Sequence, residues 1–135
     1  MNLPELSKFL NKELDTNQIK LENGEACSLI FEDNIEIIVE PAENEEIVTI
    51  YTTFCTIPKD KKKQLTLYQN LLRIQLFGLA TYDHTFSMDQ DSENIMLHKN
   101  LKLSYREYKE FLDELNLFAN VYQNWKTTLE KEKII

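Results

Sequence analysis

The sequence predicts an α+β fold: a twisted antiparallel sheet with three helices, in the order α-β-β-β-α-β-β-α. Three observations carry that prediction. Apolar residues recur at helical spacing in three separate stretches, near the start, in the middle and at the end of the chain. Between them lie five short runs rich in β-branched and aromatic residues, grouped as three and then two. The short acidic segments between these runs read as hairpin turns.

Asn2, followed by Glu5 and with Pro4 in the first turn, marks the first helix start. Leu3, Leu6, Leu10 and Leu14 then form one stripe, Phe9 broadens it, and Asp15-Thr16-Asn17 ends the helix. From Ala26 the period changes. Cys27 to Phe31 and Ile35 to Val39 are strand-forming runs, with Glu32-Asp33-Asn34 as the turn between them. Pro41 to Glu46 is a second, acidic turn. Ile47 to Ile57 is the longest strand candidate, with Val48, Ile50 and Phe54 on one face and Tyr51 and Cys55 on the other. Pro58 stops it, and the middle helix follows, ending near Gly78. Thr85 to Asp89 and Asn94 to His98 form a second hairpin around Gln90-Asp91-Ser92-Glu93. Ser104 with Glu107 reads as a second capping box. After it Tyr108, Leu112, Leu115, Phe118, Tyr122, Trp125 and Leu129 keep helical spacing, and the last residues read as frayed.

The stretch from Leu65 to Leu79 organises the rest. Laid on a helix of about 3.6 residues per turn, Leu65, Tyr68, Leu72, Leu76 and Leu79 share one face. Leu67, Leu71 and Ile74 fall nearly opposite, with Phe77 between the stripes. A surface helix carries one apolar stripe and a polar back. Two stripes require burial on two sides, so one is expected to face the chain's own sheet and the other a second copy of the chain.

At 135 residues the chain has the size of one domain, expected over residues 1–135, and can bury a core without disulfides or metal. No stretch approaches the ~20 apolar residues of a membrane span. The N-terminus lacks the basic start, apolar run and small-residue cleavage site of a secretory signal. Cys27 and Cys55 therefore read as reduced thiols, and the expected location is the cytoplasm. A formal net charge of −8 and a pI near 4.8 argue against nucleic acid or an anionic membrane as partner. The single basic run, Lys59 to Lys63, reads as a solvated helix entrance.

Catalytic motifs are missing. The two glycines, Gly24 and Gly78, cannot build a P-loop or a dinucleotide fingerprint. His84 lies beside Asp83, but no motif places a nucleophile for it, and His98 sits at a strand end. Asp89, Asp91 and Glu93 alternate as in a calcium loop, yet Asn94 and Asn100 occupy the positions that need glycine and glutamate. Cys27 and Cys55 lack zinc-site spacing. No enzyme, cofactor or metal is expected. The surplus is apolar: Leu6, Phe9, Leu10 and strand residues either pack together or bind extended peptide, by strand addition or in apolar pockets.

Between Tyr68 and Leu103 a more specific pattern appears. Leu71, Leu72 and Leu76 lie in a leucine-rich helix; Phe86 and Met88 follow in a small-aromatic-small-hydrophobic strand. An acidic turn leads to Ile95 and Leu97, and Leu101 and Leu103 make a leucine-x-leucine step into the last helix, where Trp125 supplies a late aromatic. With the element order, size and acidity, this resembles the class I chaperones of bacterial type III secretion, the Tir chaperone (CesT) family. Arg73-Ile74-Gln75 stands where that family commonly has Glu-Ala-Asn, and Ala80 to His84 lacks its favoured glycine.

The resemblance implies a bacterial cytoplasmic homodimer that binds the extended N-terminal region of one or more secreted effectors. It would keep them soluble and secretion-competent, and pass them to the export ATPase without hydrolysing anything itself. It implies a dimer interface from the middle helix and the strand after it: Leu67, Leu71, Ile74, Phe86 and Met88. It nominates Leu6, Phe9 and Leu10 for client contact, with Leu29, Phe31, Ile37, Ile50 and Phe54 from the strands. The alternative is a regulatory protein of the same fold that sequesters a transcription or secretion factor.

Overall fold

In a computed structural model of the chain, which describes every residue except positions 33, 45, 90 and 92, all eight predicted elements form in the predicted order. They are α1 (Leu3–Glu13), β1 (Cys27–Phe31), β2 (Ile35–Pro41), β3 (Ile47–Thr56), α2 (Lys61–Ile74), β4 (Thr85–Met88), β5 (Asn94–Lys102) and α3 (Tyr108–Lys131). The strands form one sheet in the order β1-β2-β3-β5-β4. The turn assignments at Asp33, Glu45, Gln90 and Ser92 lie outside the described residues.

The chain forms two compact units. One comprises Met1–Tyr51 and Asn100–Asn116, the other Thr52–Lys99 and Leu117–Ile135, so β3, β5 and α3 contribute to both.

In the first unit Asn2 caps α1, its side-chain oxygen accepting the Glu5 amide at 2.9 Å, a contact worth about 1 kcal/mol to the helix. The 3.6-residue period then buries Leu3, Leu6, Ser7 and Leu10. The segment after α1 is stitched to it. Asn11 both donates to the Ile19 carbonyl and accepts the Ile19 amide, each at 2.9 Å, and the buried Ser7 hydroxyl accepts the Leu21 amide at 2.9 Å. In the β1–β2 hairpin Cys27 pairs with Val39 and Phe31 with Ile35. Alternation buries Leu29, Ile35, Ile37, Val39, Val48 and Ile50. The strand boundaries at Cys27–Phe31 are met in full, and the first helix forms, but Leu14, the last residue of its expected stripe, is the C-cap beyond its end and is exposed.

Strand β2 runs on through Pro41 rather than ending at Val39, and the end of β5 and the start of α3 differ from the sequence expectation as well. Strand β5 runs on to Lys102 rather than ending at His98, because burial keeps its period of two through Ile95, Leu97 and Leu101. The charged Lys99 hides that continuity in the sequence. The last helix starts at Tyr108, not after a Ser104 cap. Tyr105 takes the left-handed conformation (φ 62°), which breaks any helix begun at Ser104. The Leu103 carbonyl instead accepts the Arg106 amide at 3.1 Å and the N-terminal amine at 3.3 Å. The Glu110 carboxylate reaches back to the Glu107 amide at 3.4 Å, so the capping-box logic operates one turn later.

In the second unit Asp60 caps α2 by accepting the Lys63 amide at 3.0 Å, and Gln64 donates to the Pro58 carbonyl at 2.7 Å. The core is aromatic. The buried Phe54 ring meets Phe86 and Tyr122 edge-on, at 4.9 and 5.7 Å between centroids. Lys126 sits 5.5 Å over the same ring and donates to the Phe54 carbonyl at 2.6 Å. Trp125 donates from its indole to the Ala80 carbonyl at 3.0 Å, tying α3 to the segment before β4.

His98, on β5 opposite Thr85, carries a stability consequence. Burial lowers its pKa from 6.5. With the folded value below the unfolded one, the unfolded chain takes up the proton first as pH falls. Stability is therefore withdrawn from pH 6.5 downward, until both states are protonated. Urea midpoints should decline over that window, and His98→Gln should flatten the decline; an unchanged slope would show that carboxylates alone set it.

Candidate functional site

Two apolar surfaces stand out, one on each unit. The first is built by α2 and the residues after it. Leu67 and Leu71, the stripe that the sequence reading turns toward a partner, are buried within the chain itself. The opposite stripe is open: Leu72 is 73% exposed, and Leu65, Leu76 and Leu79 are exposed as well. Both stripes form, but the assignment of faces is reversed.

The helix end also differs from the expectation. Helix α2 stops at Ile74, short of the expected Gly78, and a 3₁₀ turn over Leu76–Gly78 follows. Phe77 adopts φ 56° and Gly78 φ 71°. A Cβ on Gly78 would lie 2.8 Å from the Asp83 carboxylate, so only glycine fits. The chain turns there, Leu76 and Leu79 leave the helical register, and Phe77 is left 84% exposed.

Beside this face runs a groove of about 360 Å³, lined by Tyr68, Leu71, Leu72, Phe86, Met88 and Ile95 among others. Met88 is exposed, Ile74 and Phe86 are half-buried, and the Tyr68 hydroxyl approaches the Met88 sulfur at 3.8 Å. Leu72 and Met88, on different elements, border one continuous apolar depression.

The second surface lies on the first unit. Of the α1 residues nominated for client contact, Leu6 and Leu10 are buried and serve as core. So do Leu29, Ile37 and Ile50, and in the second unit Phe54. A side chain with at most 5% of its area accessible has almost nothing to present to a partner, so these six leave the candidate surface. Phe9 remains, 42% exposed, with its ring edge-on to Tyr108 at 4.8 Å. It borders a groove of about 390 Å³ shared with Met1, Glu5, Arg106, Tyr108 and Lys109. The Tyr108 hydroxyl is buried there without a hydrogen-bond partner among the described residues, and burial, then the Glu13 charge, raises its pKa.

Strand β1 adds to this unit's open surface. Phe31 is half-buried at its end, and Ile30 is 65% exposed. Ile30 was not nominated from the sequence, although its position next to the buried Leu29 places it on the outer face by simple alternation.

His84 is fully buried, its Nδ1 lying 2.7 Å from the Thr81 carbonyl and 3.1 Å from that of Tyr82, with its ring 5.5 Å from Phe118. Burial pushes the Cys27 thiol up to about 11 and also raises Cys55, so both are protonated thiols rather than nucleophilic thiolates at neutral pH. Among the described residues no group of histidine, cysteine or carboxylate side chains is placed to hold a metal. No helix among them is long and apolar enough to cross a membrane.

Comparison with known proteins places this architecture. Residues 6–126 match the Tir chaperone protein (CesT) family. No curated protein matches the sequence. Several solved structures share the fold. A chain of the ExsC–ExsE complex superposes with a TM-score of 0.70 at 11% identity, over 91% of this chain and 90% of its own. A chain of the HopA1–SchA chaperone–effector complex gives 0.69 at 11% identity, over 92% of both chains. A chain of the heterodimeric ExoU–SpcU complex from the type III secretion system of Pseudomonas aeruginosa gives 0.64 at 14% identity, over 91% and 93%.

Proposed function

The chain belongs to the Tir chaperone protein (CesT) family, and from that membership we propose that it is a type III secretion chaperone. It binds the extended N-terminal region of one or more effectors in the bacterial cytoplasm and keeps them soluble and competent for export. Residues 1–135 act as one chaperone domain. It needs no cofactor and performs no catalysis; delivery to the export ATPase is a hand-over between proteins.

The observation that carries this reading is the family match over residues 6–126, in a chain that leaves two apolar surfaces open. A chaperone of this kind works by desolvating apolar side chains, at about 25 cal/mol per Å² before ordering costs. A disordered client loses conformational entropy on binding, so wide, shallow surfaces serve it better than one deep pocket. The charge of −8 suits a protein that must expose such surface and stay dispersed. It is also the wrong sign for nucleic acid.

We assign the two surfaces separate partners. The leucine face of α2 with Met88 takes a second copy of the chain, and Phe9, Ile30 and Phe31 on the other unit take the client.

Affinity capture from the native bacterium, with the complex weighed by light scattering and the client then truncated, tests the reading. Two copies of this chain holding one larger secreted protein through its N-terminal region is the expected result. A complex with a transcription or secretion regulator would move the chain to the sequestering role. A monomer with no protein attached would overturn both.

A further inference from the structure

Charge is unevenly spread along the chain. Between Lys20 and Lys59 every charged side chain is a carboxylate. The basic run that follows, Lys59, Lys61, Lys62 and Lys63, is exposed, and neither of the two apolar surfaces uses it.

The run borders a groove of about 530 Å³ that lies wholly within the second unit. Lys62, Lys63 and Thr66 of α2 line it together with Pro58, Lys133 and Ile134. The sequence reads the last residues as frayed, whereas the structure folds them back. The Lys133 amide donates to the Glu130 carbonyl at 3.0 Å and the Ile134 amide to the Leu129 carbonyl at 2.8 Å. Three exposed ammonium groups, on Lys62, Lys63 and Lys133, thus share one groove with the half-buried Pro58 and Ile134.

The fold itself has no use for these charges. Lys61, Lys62 and Lys63 are the first three residues of α2, where the helix dipole favours carboxylates and disfavours cations. Glu130 also lines the groove, and Asp60 is engaged as the N-cap. Among the described residues, none of Lys59, Lys61, Lys62, Lys63 and Lys133 is held in an ion pair. The groove is also distinct from the leucine face. Thr66 follows Leu65 by one residue, roughly a quarter turn round the helix, so a second copy seated on Leu72 does not need it.

Unpaired lysines with aliphatic surface between them complement carboxylates interspersed with aliphatic side chains. A nucleic acid or a membrane presents anions well beyond the patch and so meets the carboxylates of a chain whose net charge is −8. A short acidic segment does not. We propose that this lysine-rimmed groove is a third docking surface, which takes an acidic segment of a partner protein with its aliphatic side chains on Pro58 and Ile134. The proposal goes beyond the chaperone reading and does not depend on it.

The full chain, isotope-labelled, is titrated with a short soluble peptide alternating aspartate and leucine, and with its asparagine counterpart. The aspartate peptide should shift the amide resonances of Lys61 to Lys63, Thr66, Lys133 and Ile134. The asparagine peptide should bind at least about tenfold more weakly, the cumulative loss of three exposed ion pairs. Raising salt from about 0.1 to 1 M shortens the screening length from about 10 to 3 Å and should remove most of that difference. Exchanging Lys62→Glu, Lys63→Glu and Lys133→Glu together should abolish the shifts. The urea midpoint of that variant should stay level or rise, because carboxylates suit the first turn of a helix. Equal affinity for the two peptides, shifts confined to Leu72, Met88 or Phe9, or undiminished binding in the variant overturns the proposal. So does a lowered midpoint, which makes the lysines structural, or a reduced mass by light scattering, which makes the patch a contact between copies. Tighter binding of a single-stranded oligonucleotide or of phosphatidylglycerol vesicles at the same residues overturns it too, by replacing the acidic segment with a phosphate polyanion. Failure of the chaperone reading would show separately, as a chain that captures no client while the aspartate peptide still binds.

Discussion

Leu72→Asp is expected to convert a dimer into a folded monomer, whereas Leu67→Asp should abolish folding. The two residues sit on opposite faces of one helix, and the structure separates them cleanly: Leu72 is 73% exposed and Leu67 is 0% exposed. Burying a leucine against a partner contributes roughly 1.5–3 kcal/mol, and a two-fold interface counts each residue twice. Losing that, and placing a carboxylate in the contact, should weaken association by about two to four orders of magnitude. The monomer should keep its circular dichroism, because the single chain leaves that side chain in solvent. In Leu67→Asp the charge would enter the core without a partner, costing more than about 4 kcal/mol, a large share of a small domain's stability. Light scattering and urea denaturation of both variants distinguish the cases. A Leu72→Asp dimer of unchanged affinity would move the interface elsewhere.

That pair of residues also marks how far the sequence could be read. The element order, the α1 cap at Asn2 and the β1–β2 hairpin follow from local rules: a side-chain oxygen near free amides, and a change of period from 3.6 to 2. The existence of two stripes on α2 follows in the same way. Which stripe turns inward does not, because a helical wheel carries no information about what stands beside the helix. The left-handed turn at Phe77 and Gly78, which an aromatic residue rarely adopts, is likewise not announced by the sequence, and it takes Leu76 and Leu79 out of the helical register. The sequence reading ends strand β5 too early for a different reason: Lys99 reads as polar although the neighbouring positions keep alternating in burial.

The candidate site was legible only in outline. An apolar surplus on α1 and the strands is visible in the sequence, but surplus and exposure are different quantities. Leu6, Leu10, Leu29, Ile37, Ile50 and Phe54 satisfy one another or their own unit's core, and only burial in three dimensions reveals it. Phe9 stays open because it sits at the rim of the α1 stripe rather than its centre. Ile30 was readable from alternation, yet an outward isoleucine becomes informative only once β1 is known to be a sheet edge.

Phe9→Asp should therefore separate client binding from folding, where Leu10→Asp cannot. The Phe9 ring meets Tyr108 edge-on at 4.8 Å, a contact worth roughly 0.5–1.5 kcal/mol, so the variant loses little stability. Its exposed edge offers a client an aromatic anchor beside the Tyr108 groove, and truncating such anchors typically costs 2 kcal/mol or more, about thirtyfold in affinity. Leu10, 2% exposed, has no such surface, and an aspartate there should unfold α1 and the unit around it. Titration of the captured client's N-terminal region against each variant, with dimer mass followed in parallel, gives the comparison. Loss of binding in Phe9→Asp with the dimer intact places the client on this unit and the second copy on the other. Undiminished binding would leave the β1 edge as the client's main contact, and Ile30→Lys would be the variant that removes it.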